Sequence, residues 1–400
     1  MSALCQLIKN VDFDIKKVYT VLNYFDEKSC TMRKIERWIK RNVALSAALV
    51  LAVATSFIVL PDKEYVSYFD FKTLTCLFCV LAVVCALKNV NFFYILAKKI
   101  VKKFGTARKC VLALVYITFI GSMLIANDMA LLTFLPLGYF VLDTTNKKQY
   151  MAFTFIMQNI AANLGGMLTP FGNPQNLYLY TKYSIPTGEF MKIMLLPFVL
   201  SIVLITLCCI VFVKGERLEI KECGESFNVK RTSLYLVLFV LAIAIVFRGI
   251  PYWTGLVIIP AVLFFADRKA LKMVDYGLLF TFVAFFVFAG NMARIPQVRD
   301  FFAMLLEKNT LVVSVLSCQF ISNVPSAILL SQFTENYPQL LVGVNIGGCG
   351  TIISSLASLI TLREYVLRDP DGTGKYMKMF SAFNFGMLAF LTLVMGVYFA

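Results

Sequence analysis

The sequence predicts an all-α polytopic membrane protein of about nine full spans, built from two inverted-topology repeats. Each repeat is expected to hold a re-entrant hairpin and a broken helix. Three observations predict this. The 400 residues are 59% hydrophobic and only 15% charged, whereas soluble domains carry about 25% charged residues. Apolar runs recur at the length of roughly 20 residues that a bilayer crossing needs. Lys and Arg gather in alternate connecting segments, the asymmetry that orients polytopic proteins.

Residues 1–42 hold nine Lys and Arg and no long apolar core. They read as a cytoplasmic arm and not a signal peptide, with a short helix expected from Val18 to Arg41. Apolar runs at 43–60 and 72–88 follow. At 89–104 the pattern changes: Phe92, Phe93, Ile95, Leu96, Ile100 and Val101 recur at helical spacing among Lys98, Lys99, Lys102 and Lys103. That spacing predicts an amphipathic helix in the membrane interface. The runs 110–126 and 129–142 are read as a hairpin with Asn127-Asp128 at its tip, and 150–182 as an apolar run broken by polar residues. Spans at 192–214, 232–247, 250–266 and 274–293 follow. Then come a second amphipathic segment at 295–308, a second hairpin at 310–337, a second interrupted run at 339–362 and a last span at 379–400.

With the hairpins entering from opposite sides, 30 of the 38 Lys and Arg fall on the cytoplasmic side. The N-terminus is then inside and the C-terminus outside the cell membrane. The same asymmetry accounts for the net charge of +15 without a nucleic-acid partner. The eleven Cys lie mostly in apolar runs, and with no His in the chain the Cys76-x-x-Cys79 pair reads as core thiols and not as a metal site.

The two halves echo each other. Asp70 and Asp275 each precede a span. Ile125-Ala126-Asn127-Asp128 matches Ile321-Ser322-Asn323-Val324, and Asn163-Leu164-Gly165-Gly166 matches Asn345-Ile346-Gly347-Gly348. Thr169 and Thr351 each stand three residues after the last Gly of these stretches. The expected organisation is repeat 1 over 43–214, a linker with a connecting span over 215–249, and repeat 2 over 250–400. Inverted repeats of this kind are the architecture of many secondary transporters, with binding at the midplane.

Polar residues at that depth are costly unless paired or facing a wet cavity, and they cluster in four places. One is Asn127-Asp128. The second runs from Thr169 to Asn176 and includes Gly172, Asn173 and Pro174; Pro170, Pro174 and Gly172 should unwind the helix there. The third is Ser322-Asn323-Val324-Pro325-Ser326. The fourth runs from Thr351 to Ser358, with Ser354 and Ser355 at the positions of Gly172 and Asn173. Unwound backbone frees carbonyl oxygens that suit Na⁺, and half-helix N-termini suit an anionic solute. The expected ligands are therefore Asn127, Asp128, Thr169, Gly172, Asn173, Pro174, Asn176, Ser322, Asn323, Thr351, Ser354 and Ser355. Asn127 and Asn323 are the expected Na⁺ positions. Asp128 is the one carboxylate placed near a midplane, which points to ion coupling through Na⁺ or H⁺. No other cofactor is expected. The sequence carries no Walker-type loop and no HExxH motif, so neither primary pumping nor intramembrane catalysis is expected.

The stretches LIANDMALLTFLPL, QNIAANLGGMLTPFGNPQNLYLY, FISNVPSAILL and VNIGGCGTIISSLAS resemble the ion transporter superfamily. They are most similar to its citrate-transporter-like, anion permease group, which is related to arsenite permeases, NhaD-type antiporters and divalent anion:sodium symporters. The resemblance covers about 43–400. It implies cation-coupled transport of a small anion, with di- or tricarboxylates the first guess, and the alternative of arsenite or inorganic anion efflux or Na⁺/H⁺ antiport. It also implies a homodimer and an elevator-like motion. The dicarboxylate branch carries Ser-Asn-Thr at both tips; here the triplets are Ala126-Asn127-Asp128 and Ser322-Asn323-Val324, so only the Asn is common to both.

Overall fold

The computed structural model describes residues 43–101, 103–217 and 228–400, except the side chains of Val43 and Ile100. The expected arm 1–42, with its Val18–Arg41 helix, and residues 218–227 of the linker lie outside the described residues. In chain order the helices are α1 Val43–Ser56, α2 Phe71–Asn89, α3 Phe92–Val101, α4 Ala107–Ile125, α5 Asn127–Thr144, α6 Met151–Gly165, α7 Pro174–Lys182, α8 Thr187–Phe212 and α9 Val229–Val246. The second half continues with α10 Tyr252–Ala266, α11 Arg268–Met273, α12 Tyr276–Arg294, α13 Pro296–Ile321, α14 Asn323–Leu330, α15 Tyr337–Ile346, α16 Leu356–Val366 and α17 Thr373–Phe399.

Among the described residues seven helices are long and apolar enough to cross a membrane: α2, α4, α8, α9, α12, α13 and α17. α8 shows what membrane burial means for a single helix. Phe190, Met194, Pro197, Phe198, Ser201, Ile205 and Cys209 form its buried face at helical spacing. Its other face exposes Leu195, Val199, Val203, Leu207 and Val211. A soluble helix would place polar residues there; hydrocarbon accepts Leu and Val.

The expected amphipathic segment at 89–104 is α3. Its counterpart at 295–308 and the first arm of the second hairpin run together as α13, with the junction at Asn309, whose φ of −164° and ψ of 92° are non-helical. Asp70 and Asp275 are N-caps. Asp70 accepts the Thr73 N–H at 2.9 Å and Asp275 the Leu278 N–H at 2.9 Å, and each opens a 19-residue helix. Such caps satisfy backbone donors that a helix start leaves free.

The halves exchange partners. α1 packs on α12, and α10 packs on α2. Asn291 of α12 donates to Thr55 and Ser56 at 3.2 Å. The Tyr68 ring lies where a Cβ on Gly290 would come within 2.5 Å, so only glycine admits it. Arg294 holds Asp62 at 2.7 Å and Tyr68 at 3.1 Å. The guanidinium beside Asp62 holds that carboxyl below its usual range. α6, α7, α14 and α15 are mostly buried; α6, α7 and α15 flank the interrupted segments, and α14 is the short arm of the second hairpin.

Candidate functional site

Two helical hairpins each turn on a single residue. α4 and α5 meet at Ala126 (φ 63°, ψ 152°), and α13 and α14 at Ser322 (φ 75°, ψ 160°). That region of backbone space favours glycine, and another residue there costs about 1–3 kcal/mol. The next residue is Asn in both hairpins. Asn127 Oδ1 accepts the Asp128 N–H at 2.9 Å, and Asn323 Oδ1 accepts the Val324 N–H at 2.9 Å. The two tips thus share one strained, Asn-stapled turn.

Two helix breaks face them. α6 ends at Gly165, a 3₁₀ turn covers Gly166–Leu168, and the chain runs extended at Thr169 and Asn173 before α7. Pro174 is the first residue of α7, where its missing N–H costs nothing; it shapes the break and offers no donor. Unwinding therefore ends at Asn173, earlier than the expected Asn176. In the second half α15 ends at Ile346, a 3₁₀ turn covers Ile352–Ser354, and α16 starts after Ser355. The tie between tip and break recurs. Thr169 Oγ1 donates to the Met123 carbonyl at 2.8 Å, and Thr351 Oγ1 to the Gln319 carbonyl at 3.1 Å. One difference is informative. Gly172 packs where a Cβ would meet the Gly166 carbonyl at 2.3 Å. Ser354, in the matching place, donates its hydroxyl to Gly348 at 2.9 Å.

Two asparagines join the tips and breaks into one network. Asn163 Oδ1 accepts from Asn127 at 3.2 Å and from the Ser355 hydroxyl at 2.8 Å, and its Nδ2 reaches the Gly348 carbonyl at 3.4 Å. Asn345 Oδ1 accepts from Asn173 at 3.2 Å and Gln175 at 3.4 Å, and its Nδ2 donates to Asn176 at 2.6 Å. Asn173 also donates to the Asn163 carbonyl at 3.2 Å. Ser322 donates to the Ser354 carbonyl at 3.2 Å. A Cβ on Gly348 would lie 3.2 Å from Asn323 Nδ2. The N-terminal ends of α5, α7, α14 and α16 thus meet in one buried cluster, and a helix N-terminus carries a partial positive charge.

The amide orientations decide what the cluster offers. Asn176 Nδ2 faces the carbonyls of Gly166, Met167 and Thr169 at 3.2, 3.2 and 3.4 Å, so its oxygen must face Asn345. That orients Asn345, whose oxygen then takes the N–H groups of Asn173 and Gln175. Among the described residues Asn173 Oδ1 and Gln175 Oε1 are left buried with no hydrogen-bond partner, as is Asp128 Oδ1. All three are acceptors. Among the described residues Asp128 makes no ion pair, and no group of three or more His, Cys, Asp or Glu is placed to hold a metal.

The expected site residues lie at the two tips and two breaks, except Pro174 and Asn176, which stand in the first turn of α7. Sequence reasoning missed Asn163, Asn345, Gln175 and Gln319 as groups that bridge the tips and breaks. Asn163 and Asn345 carried a signal, since each precedes a Gly-Gly pair in matched positions. Gln319 carried none, because its matched residue is Met123.

The buried polar groups line up tips and breaks between apolar helices, and no nucleophile and base are paired among them. This is the construction of a membrane transporter. More narrowly, the chain belongs to the citrate transporter family, whose sequence model matches residues 35–338. It is 33% identical over 300 residues to the uncharacterized transporter MJ0456 of Methanocaldococcus jannaschii, covering 74% of this chain and 81% of that one. It is 27% identical over 327 residues to the inner membrane protein YbiR of Escherichia coli, covering 79% and 86%. A shorter match, 23% over 173 residues, covers 43% of this chain and 30% of the putative transporter arsB of Dictyostelium discoideum.

Proposed function

We propose that the protein is a Na⁺- or H⁺-coupled secondary transporter that moves a small anion by alternating access, with di- and tricarboxylates the first candidates. In this reading the two halves are inverted-topology repeats, the hairpins are re-entrant, and the site sits at the midplane of the cell membrane. The N-terminus is cytoplasmic, the C-terminus is outside, and the working unit is a homodimer. The observation that carries the reading is the meeting of four helix N-termini in a buried network whose unpartnered atoms are oxygens. The helix ends suit the anion; the oxygens of Asn173, Gln175 and Asp128 suit the coupling cation.

A second reading is favoured by Asp128. A carboxylate that makes no ion pair among the described residues, placed beside the site, suits efflux of arsenite or another inorganic solute, or Na⁺/H⁺ antiport, better than a multiply charged anion. One relative bears the name arsB. Uptake into proteoliposomes of labelled citrate, succinate and malate, with and without an inward Na⁺ or H⁺ gradient, separates the two. Gradient-dependent uptake that disappears in Asn127→Ala/Asn323→Ala supports anion symport. No uptake by the folded wild type discards these carboxylates in favour of arsenite or Na⁺/H⁺ exchange.

A further inference from the structure

Each helix break strands backbone groups at a depth where water does not satisfy them. The two breaks solve this differently. In the first, Asn176 turns its Nδ2 back to Gly166, Met167 and Thr169, so the clamp belongs to the broken helix itself. The matching residue in the second half is Ser358, whose hydroxyl is taken up by Asn159 at 3.2 Å. It leaves its own break unserved.

Within the second break the Ser354 hydroxyl serves the Gly348 and Thr351 carbonyls at 2.9 and 2.7 Å; the rest of the turn is served from outside. Gln319, on the first arm of the second hairpin, places Nε2 2.9 Å from the Gly347 carbonyl and 3.1 Å from that of Cys349. Its Oε1 accepts the Thr351 N–H at 2.9 Å. Gly350 makes room for this: it sits at φ 115°, and a Cβ there would fall 2.1 Å from Gln319 Oε1. The first hairpin has Met123 in this place, which cannot donate. One carboxamide therefore spans the entire turn Gly347–Thr351. That turn presents the Gly348 carbonyl to Asn163 and leads into Ser354 and Ser355, which contact Ser322 and Asn163.

We propose that Gln319 is a positioning residue. It sets the second break in the geometry that presents Gly348, Ser354 and Ser355 to solute and coupling ion, and it fastens the second hairpin to that break so that the two move as one body. This rests on the transport reading above.

The test compares wild type with Gln319→Met, the residue of the first half, and Gln319→Glu, which keeps length and acceptor oxygen but loses the N–H donors. Two readouts are needed. Amide hydrogen exchange should rise about tenfold or more over 347–354 and stay unchanged over 166–173 in Gln319→Met, because a buried hydrogen-bonded turn has lost its partner. Uptake kinetics should show the apparent affinity for solute or coupling ion weakened about tenfold while the maximal rate holds within about threefold. Gln319→Glu should fall between the two proteins, and it carries the test if the methionine variant does not assemble. Unchanged exchange overturns the clamp. Changed exchange with unchanged affinity makes Gln319 structural only and also overturns the proposal. A wild type that responds to no solute or ion sinks the transport reading and the positioning role together, whereas a responding wild type with unaltered variants sinks the positioning role alone.

Discussion

The two hairpins have the same tip and different attachments. Ala126 and Ser322 adopt the same left-handed, glycine-favouring backbone, and Asn127 and Asn323 close the same turn. Beyond the tip, hairpin 2 is tied across the halves. Ser331, just past the end of α14, meets the Tyr178 hydroxyl at 3.0 Å and Lys182 Nζ at 3.0 Å, and Tyr183 donates to the Ser331 and Thr334 carbonyls at 3.2 and 2.6 Å. Hairpin 1 meets the other half through packing, α5 on α16 and Arg368 over the Tyr139 ring at 4.8 Å, while its hydrogen bonds stay within its own half. Gln158 of α6 donates to Thr118 at 3.0 Å and to the Phe134 carbonyl at 3.2 Å. The strand of chain after α8 straps its base through the Lys147–Glu216 ion pair and the bond from Ala107 N to the Glu216 carbonyl at 2.7 Å. The tips also differ in charge, Asp128 against Val324. The turn is shared and its surroundings are not: hairpin 1 carries a carboxylate at its tip, and hairpin 2 carries the hydrogen bonds that reach the other half.

The largest expected effect strikes what the hairpins share. Asn163→Ala removes the acceptor for Asn127 and Ser355 and the donor to Gly348. Each stranded buried group costs about 1–3 kcal/mol. Transport should fall by about a hundredfold or more, consistent with the loss of one to two such bonds, in a protein that still elutes as a folded species. Near-normal uptake would show that the junction of the two halves is packing only.

The next effect separates the tips. Asp128→Asn should abolish the response of uptake to the Na⁺ or H⁺ gradient while downhill exchange of solute survives. Val324→Asn should leave the gradient response in place. Equal effects at the two positions would mean that the charge difference between the hairpins has no part in coupling.

Much of this site was legible in the sequence, for a physical reason. Polar residues, Pro and Gly are so costly inside apolar helices that Asn127, Thr169, Asn173, Asn323 and Ser355 stood out against their neighbours. The expectation that Asp70 and Asp275 mark matched helices was legible because capping is local, within three residues. What stayed hidden is what depends on distant partners. Gln319 lies on an ordinary apolar helix, and only folding brings it against Gly350. The end of the first unwound stretch was misplaced by three residues because Pro174 was read as a breaker alone, when it also starts a helix. The Ser331 ties to Tyr178 and Lys182 span about 150 residues of sequence, beyond the reach of any spacing argument.

A smaller effect tests tip strain. Ala126→Gly should raise the thermal midpoint, with a gain of up to about 1 kcal/mol, because the backbone region is glycine's. Ser322→Gly relieves the same strain but loses the hydroxyl bond to Ser354, so its gain should be smaller or cancel. Equal gains would mean that the Ser322–Ser354 bond contributes nothing to holding hairpin 2.

The smallest effect concerns the strap on hairpin 1. Lys147 beside Glu216 holds that carboxyl below its usual range, so the folded protein binds a proton there less readily than the unfolded chain. The strap's contribution to stability is therefore complete above the ordinary glutamate value of about 4.3 and is lost as pH falls through the lowered folded value. Both side chains are partly exposed, at 22% and 35%, and solvent screening keeps the effect slight. Glu216→Gln should lower the thermal midpoint only marginally at pH 7 and should remove some of its decline in acid. Because the Glu216 carboxyl is held below its usual range, it stays ionised throughout pH 6–8 and contributes no pH dependence to uptake in that window. A transport profile that changes between pH 6 and 8 in Glu216→Gln would assign proton sensitivity to the base of hairpin 1. A profile that changes only in Asp128→Asn would assign it to the tip.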